Sequence, residues 1–181
     1  MLRLSLPLAL VLAGPAAGHT GHLDTGHFVS GLLHPVLGSD HVLAMLAVGL
    51  WAALTGGRAV VAYPLAFMAA MLAGGLLGAG AAGPAAVEPA ILASVVVVGA
   101  VVALALRAPM PAALALLAPC GIAHGYAHGL EGPGGAGYAA GFLLTTAALH
   151  LAGIALGRIG PHVARLGGAT VALSGVALAL A

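Results

Sequence analysis

The sequence predicts an all-α, polytopic membrane protein: a bundle of six transmembrane helices following a cleavable signal peptide. Three observations carry this. Hydrophobic residues make up 62% of the 181 positions and charged residues only 5%, with a mean hydropathy of +1.16. That leaves too little polar side chain to cover a water-soluble domain of this size. The apolar residues are gathered into runs close to the ~20 residues that a helix needs to cross a ~30 Å hydrocarbon core. Finally, the runs do not alternate polar with apolar, as transmembrane strands of about half that length would.

The N-terminus has the parts of a signal peptide. Arg3 supplies the positive end, "LSLPLALVLAG" is an apolar stretch too short to span, and Ala16 to Gly18 offers small residues for cleavage. Residues 1–18 are therefore read as the signal peptide, 19–33 as a histidine-rich extracytoplasmic segment, and 34–181 as the transmembrane domain. The first run covers about Val36 to Leu54, with a turn of helix from His27 to Leu33 before it and a break near Pro35, because a residue preceding proline resists the helical region. The second covers about Ala59 to Ala82, the third Val87 to Leu106, and the fourth Pro111 to Leu130. The fifth covers Ala136 to Leu156, and the sixth His162 to Ala181. Glycine pairs at i,i+4 spacing, and the series Gly121, Gly125 and Gly129, allow close helix approach in lipid.

Charge sets the orientation. Beyond the signal, Arg58, Arg107, Arg158 and Arg165 follow the first, third and fifth runs, whereas the loops after the second and fourth carry only Glu88 and Glu131. By the positive-inside rule the odd-numbered helices end in the cytoplasm. Both the mature N-terminus and the C-terminus then lie outside the cytoplasm of a bacterial inner membrane. Five arginines and no lysine exclude a phosphate-tracking surface, so no nucleic-acid partner is expected. Cys120 is the lone cysteine, so no intrachain disulfide forms.

Against this background the polar groups stand out, because an aspartate near the bilayer centre costs about 2.5–3.5 kcal/mol and needs a partner or a task. "HPVLGSDH" places His34, Asp40 and His41 at the start of the first span. "CGIAHGYAHGLE" places His124, His128 and Glu131 on one stripe of the fourth. The topology brings both sets to the outer leaflet. Histidine–carboxylate sets suit borderline divalent metals such as Ni2+, Co2+ and Zn2+. Met45 and Cys120, each one turn deeper than a histidine, would add soft ligands and admit copper. His19, His22, Asp24 and His27 read either as a metal-capture segment or as a solvated tail. His150, near mid-span beside Thr145 and Thr146, reads either as a second step on a path or as a helix–helix hydrogen bond.

These two motifs resemble those of the HupE/UreJ family of nickel-permease-like membrane proteins encoded with hydrogenases and ureases. "HPVLGSDH" is similar to its His-x5-Asp-His motif, and "HGYAHGLE" to its His-Gly-x-Ala/Val-His-Gly-x-Glu motif. The resemblance extends over the chain, with one departure at Ala123, where the family pattern often has an aromatic. It implies nickel uptake by secondary transport for a hydrogenase or urease, with their maturation proteins as partners. It also implies metal roles for His34, Asp40, His41, His124, His128 and Glu131. No organic cofactor is expected. The chain has no Gly-x4-Gly-Lys-Ser/Thr loop, no His-Glu-x-x-His pair and no Gly-x-Ser-x-Gly turn, so it is not expected to be an enzyme. The alternatives are a metal-holding accessory protein that does not transport, and a haem-binding membrane protein.

Overall fold

The computed structural model describes residues 27–79, 81 and 86–181. The expected signal peptide, His19, His22 and Asp24 lie outside the described residues. Seven helices follow one another: α1 (His27–Leu37), α2 (Ser39–Thr55), α3 (Ala59–Gly78), α4 (Val87–Ala103), α5 (Met110–Glu131), α6 (Gly135–Ile159) and α7 (Pro161–Ala179). Among the described residues there is no strand. Helices α2 to α7 correspond to the six apolar runs, and α1 is the segment ahead of the first. By length and composition α3, α5, α6 and α7 can each cross a membrane, and α1 with α2 makes a fifth, bent candidate; α4 is apolar but only 17 residues long.

The break between α1 and α2 falls at Gly38, not near Pro35 as the sequence predicts. Pro35 sits inside α1, where its missing N–H removes one bond to the carbonyl of Gly31. The chain bends by 80° at Gly38, which is extended at φ −94° and ψ 113°. A Cβ there would meet Asp40 Oδ1 at 2.9 Å and His41 Nδ1 at 3.1 Å, so the Asp40–His41 pair folds back over Gly38 and would have to move aside for a larger residue. The N-cap position falls on Gly38, which has no side chain to cap with, and Ser39 is the first residue of the helix. Asp40 Oδ1 instead accepts the backbone N–H of His41 at 2.9 Å, satisfying one of the orphan donors of the first turn.

The helices pack in matched directions. In α5, Gly121, Gly125 and Gly129 lie against the backbone of Phe67, Met71 and Gly75 in α3, so these two helices run parallel. A Cβ at Gly125 would collide with the carbonyl of Met71, which is why the stripe is glycine. Gly49 of α2 meets His150 and Gly153 of α6, and Gly157 meets Ala53, so these two are parallel as well. Gly99 lies against Gly168 and Ala172, and Gly175 against Val95 and Val96, which makes α4 and α7 antiparallel. Trp51 near the end of α2 packs on Tyr63 near the start of α3 at 4.8 Å between ring centroids, so α2 and α3 are antiparallel.

The end of α4 is fully hydrogen-bonded. Leu106 N–H donates to Val101 O and Ala105 N–H to Val102 O, the paired bonds of a Schellman turn. Arg165 Nε donates to Ala103 O at 3.1 Å, and Trp51 Nε1 to Leu106 O at 3.0 Å. The turn needs a left-handed residue, and Ala105 takes it at φ 51°. Trp51, Tyr63, Phe67, Met45, Met71 and Leu117 fill the centre of the bundle, while Leu65, Leu76, Leu151 and Leu173 face outward. An apolar outer surface around a packed core is what lipid contact requires.

Candidate metal-binding site

Because α2 and α5 run in opposite directions, the start of one reaches the end of the other. The bend at Gly38 turns α1 across that end of the bundle. The structure therefore gathers His34, Asp40, His41, His124, His128 and Glu131 from three helices. The His41 ring lies 4.7 Å from that of His124 and 4.7 Å from that of His128. The His34 ring lies 4.8 Å from His128 and 6.4 Å from His41. His34 Nε2 is 3.4 Å from Glu131 Oε2, and His41 Nδ1 is 3.1 Å from Asp40 Oδ1. His41, His124 and His128 are buried, whereas the Glu131 side chain is 43% exposed at the rim.

Hydrogen bonding assigns a tautomer to two of the imidazoles. Asp40, as a carboxylate, only accepts, so His41 donates from Nδ1 and keeps its lone pair on Nε2. Ser94 spends its single hydroxyl proton on Ile91 O at 2.7 Å. His124 must therefore donate from Nε2 to Ser94 Oγ, at 2.8 Å, leaving the lone pair on Nδ1. Both lone pairs, His41 Nε2 and His124 Nδ1, are buried and have no hydrogen-bond partner among the described residues. A ring held by one nitrogen with the other nitrogen bare is the arrangement of a metal-ligating histidine and its orienting neighbour. The rings touch but are not preset: among the described residues no group of three or more His, Cys, Asp or Glu side chains stands in an arrangement that holds a metal ion.

Aromatic residues wall the cluster. Phe142 stacks on His128 at 4.8 Å with planes 5° apart. The Tyr138 hydroxyl is 3.5 Å from His128 Nδ1, and Phe67 lies 5.7 Å from His124. The sequence reading missed Ser94, Tyr138, Phe142 and Phe67. Ser94 carried a usable signal, as a lone hydroxyl in the run "AILASVVVVG"; the aromatics carried none, since aromatic residues in apolar helices are ordinary.

The secondary candidates fall elsewhere. Cys120 donates its thiol to Leu116 O in its own helix at 3.2 Å. Met45 is fully buried in the core below His41. His150 is buried on α6 beside Phe67 at 5.6 Å. His27 is exposed at the start of α1, near Gly135 and Gly137.

The chain was compared with known proteins. The family model described as HupE / UreJ protein matches residues 7–179. Protein HupE of Rhizobium leguminosarum bv. viciae is 43% identical over 178 residues, covering 94% of this chain and 93% of that protein. No solved structure matches. A family match across nearly the whole chain, together with a full-length relative at this identity, places the chain in the HupE/UreJ family.

Proposed function

We propose that this protein is a permease for a divalent transition metal, that nickel is its cargo, and that it supplies a hydrogenase or urease. The observation that carries the reading is the pair of buried, oriented and unpartnered imidazole lone pairs on His41 and His124. They lie within a cluster of four histidines and two carboxylates. Imidazole is a good ligand for Ni2+ and a poor one for Mg2+ or Ca2+. Small rotations of touching rings bring their nitrogens onto one ion, and Glu131 at the rim meets it first. Asp40, already bonded to His41, offsets the charge of the arriving cation.

All six apolar helices from α2 to α7 span the inner membrane in this reading. At 1.5 Å per residue α4 is about 25 Å long, and its ordered C-terminal turn extends it. The helix directions support the count: α2, α4 and α6 run one way and α3, α5 and α7 the other, as six successive crossings demand. Arg58, Arg107, Arg158 and Arg165 then lie at the end opposite the four-histidine cluster. The positive-inside rule puts that end in the cytoplasm and the cluster outside. The mature N-terminus, after signal cleavage, and the C-terminus both lie outside.

The test is radioactive nickel uptake by proteoliposomes containing the wild type, His41→Ala or His128→Ala. Uptake is expected to fall at least tenfold in each variant. Wild-type uptake in both variants would remove the cluster from the transport path, and nickel binding without flux in the wild type would make the protein an accessory metal holder.

A further inference from the structure

The α6 helix carries a buried stripe at i,i+4 spacing: Tyr138, Phe142, Thr146 and His150. Its first two members face His128. The next two are less easily explained. His150 is buried, and among the described residues neither its Nδ1 nor its Nε2 has a hydrogen-bond partner; the Thr146 hydroxyl, one turn before it, is also buried and unpartnered among them. Nearly all buried polar groups in folded proteins are hydrogen-bonded, so three bare polar atoms on adjacent turns of one helix call for a ligand. Among the described residues, the helix–helix hydrogen bond that would otherwise account for His150 is not made.

The position gives the ligand its chemistry. His150 lies two turns beyond Phe142 along α6, about 12 Å deeper at 1.5 Å per residue. The Phe67 ring is 5.6 Å from His150 and 5.7 Å from His124. One phenyl group thus stands against both the outer cluster and the deeper histidine. We propose that His150 and Thr146 form a second binding point for a divalent transition metal, an inner station that receives the ion from the four-histidine cluster past Phe67. One imidazole and one hydroxyl bind such an ion weakly, and weak binding at successive sites is what passage requires. An imidazole and a hydroxyl carry no negative charge, so such a site releases the ion inward more readily than the cluster with its two carboxylates. This inference rests on the transport reading above.

The experiment uses the full chain in nanodiscs with Co2+ as the probe, whose visible absorption reports bound metal, and in proteoliposomes with radioactive nickel. His150→Ala is expected to lose one bound Co2+ relative to the wild type and to slow nickel uptake at least tenfold. It should retain the ion that His41→Ala with His128→Ala removes. If His150→Ala does not fold, as judged by its elution profile and melting curve, His150→Gln and the isosteric Thr146→Val replace it. Each is then expected to weaken the second Co2+ site at least threefold. Wild-type stoichiometry and uptake in the folded position-150 variants, with loss in the His41 and His128 variants, would overturn the inner station and leave the outer cluster standing. Unchanged binding and uptake in the His41 and His128 variants would overturn the transport reading itself.

Discussion

At the scale of single residues, the proposed site depends on side chains that orient its histidines. Ser94 accepts the Nε2 proton of His124, and with Ile91 O taking the serine's own proton the tautomer has no freedom. Replacing Ser94 with alanine removes that acceptor, leaving His124 free to turn or to change tautomer. Loss of such an orienting partner costs about 10- to 100-fold in metal affinity, and we expect nickel binding by Ser94→Ala, measured by equilibrium dialysis, to fall within that range. Asp40→Asn probes the same principle at His41. An amide in place of the carboxylate both weakens the grip on Nδ1–H and removes a negative charge, so its loss should be at least as large.

Protonation acts on the same atoms. A ligating imidazole must be neutral, and an imidazolium offers no lone pair, so metal and protons compete for the cluster. Nickel affinity is therefore expected to fall as the external pH falls, read by equilibrium dialysis over a pH series. Affinity that rises as the pH falls would show that the histidines are not the ligands.

At the scale of elements, two features can be tested without reference to metal. The α3–α5 contact is backbone against backbone, and Gly125 sits on the Met71 carbonyl. Gly125→Ala has no flexible atom to displace. It must push the helices apart, at a cost of about 1–3 kcal/mol, read as a lower melting temperature in detergent. Because α5 carries His124 and His128, metal affinity should fall with it. Ala105 behaves in the opposite sense. It holds a left-handed conformation at φ 51° in a turn whose usual occupant is glycine, at a cost of about 1 kcal/mol for an L-residue. Ala105→Gly is expected to raise the melting temperature or leave it unchanged, since glycine's greater unfolded-state freedom offsets part of the gain.

At the scale of the whole molecule, the expectation concerns orientation. Arg58, Arg107, Arg158 and Arg165 lie at one end and the four-histidine cluster at the other. Cys120 is the only cysteine in the chain and is buried, so background labelling in a thiol-reactivity experiment is low. A cysteine placed at Gly134, in the turn between α5 and α6, is expected to react with a membrane-impermeant maleimide added outside intact cells. One placed at Arg107 should react only after the membrane is opened. The reverse pattern would invert the topology and place the cluster on the cytoplasmic side.

Much of this was legible in the sequence, and the reasons differ by feature. Helix number and position follow from apolar run length, which the bilayer dictates directly; α2 to α7 begin and end within a few residues of the runs, where described. The six polar residues of the cluster could be singled out because burying such groups in lipid is costly, so each one present is conspicuous. Their approach could be argued from charge alone, since arginine placement orders the helices. The break at Gly38 was not legible. Proline has a local steric signature, but the bend at Gly38 goes with the side chains of Asp40 and His41 folding back over it, and that contact exists only after folding. The roles of Ser94, Phe142 and Tyr138 were hidden for the same reason: each acts on a histidine of another helix. His150 stood out as polar in an apolar run, but its bare nitrogens are a property of what packs around it.

The sequence by itself thus determined the all-helical, lipid-facing architecture, and the two motifs whose histidines and carboxylates stand out within it, because hydropathy and charge act residue by residue. Only the tertiary structure decided how α1 folds across the bundle, which ring nitrogens of His41 and His124 remain open, and what surrounds His150. Those depend on distances between helices, and side-chain contacts across helices are set by packing rather than by any local preference of the chain.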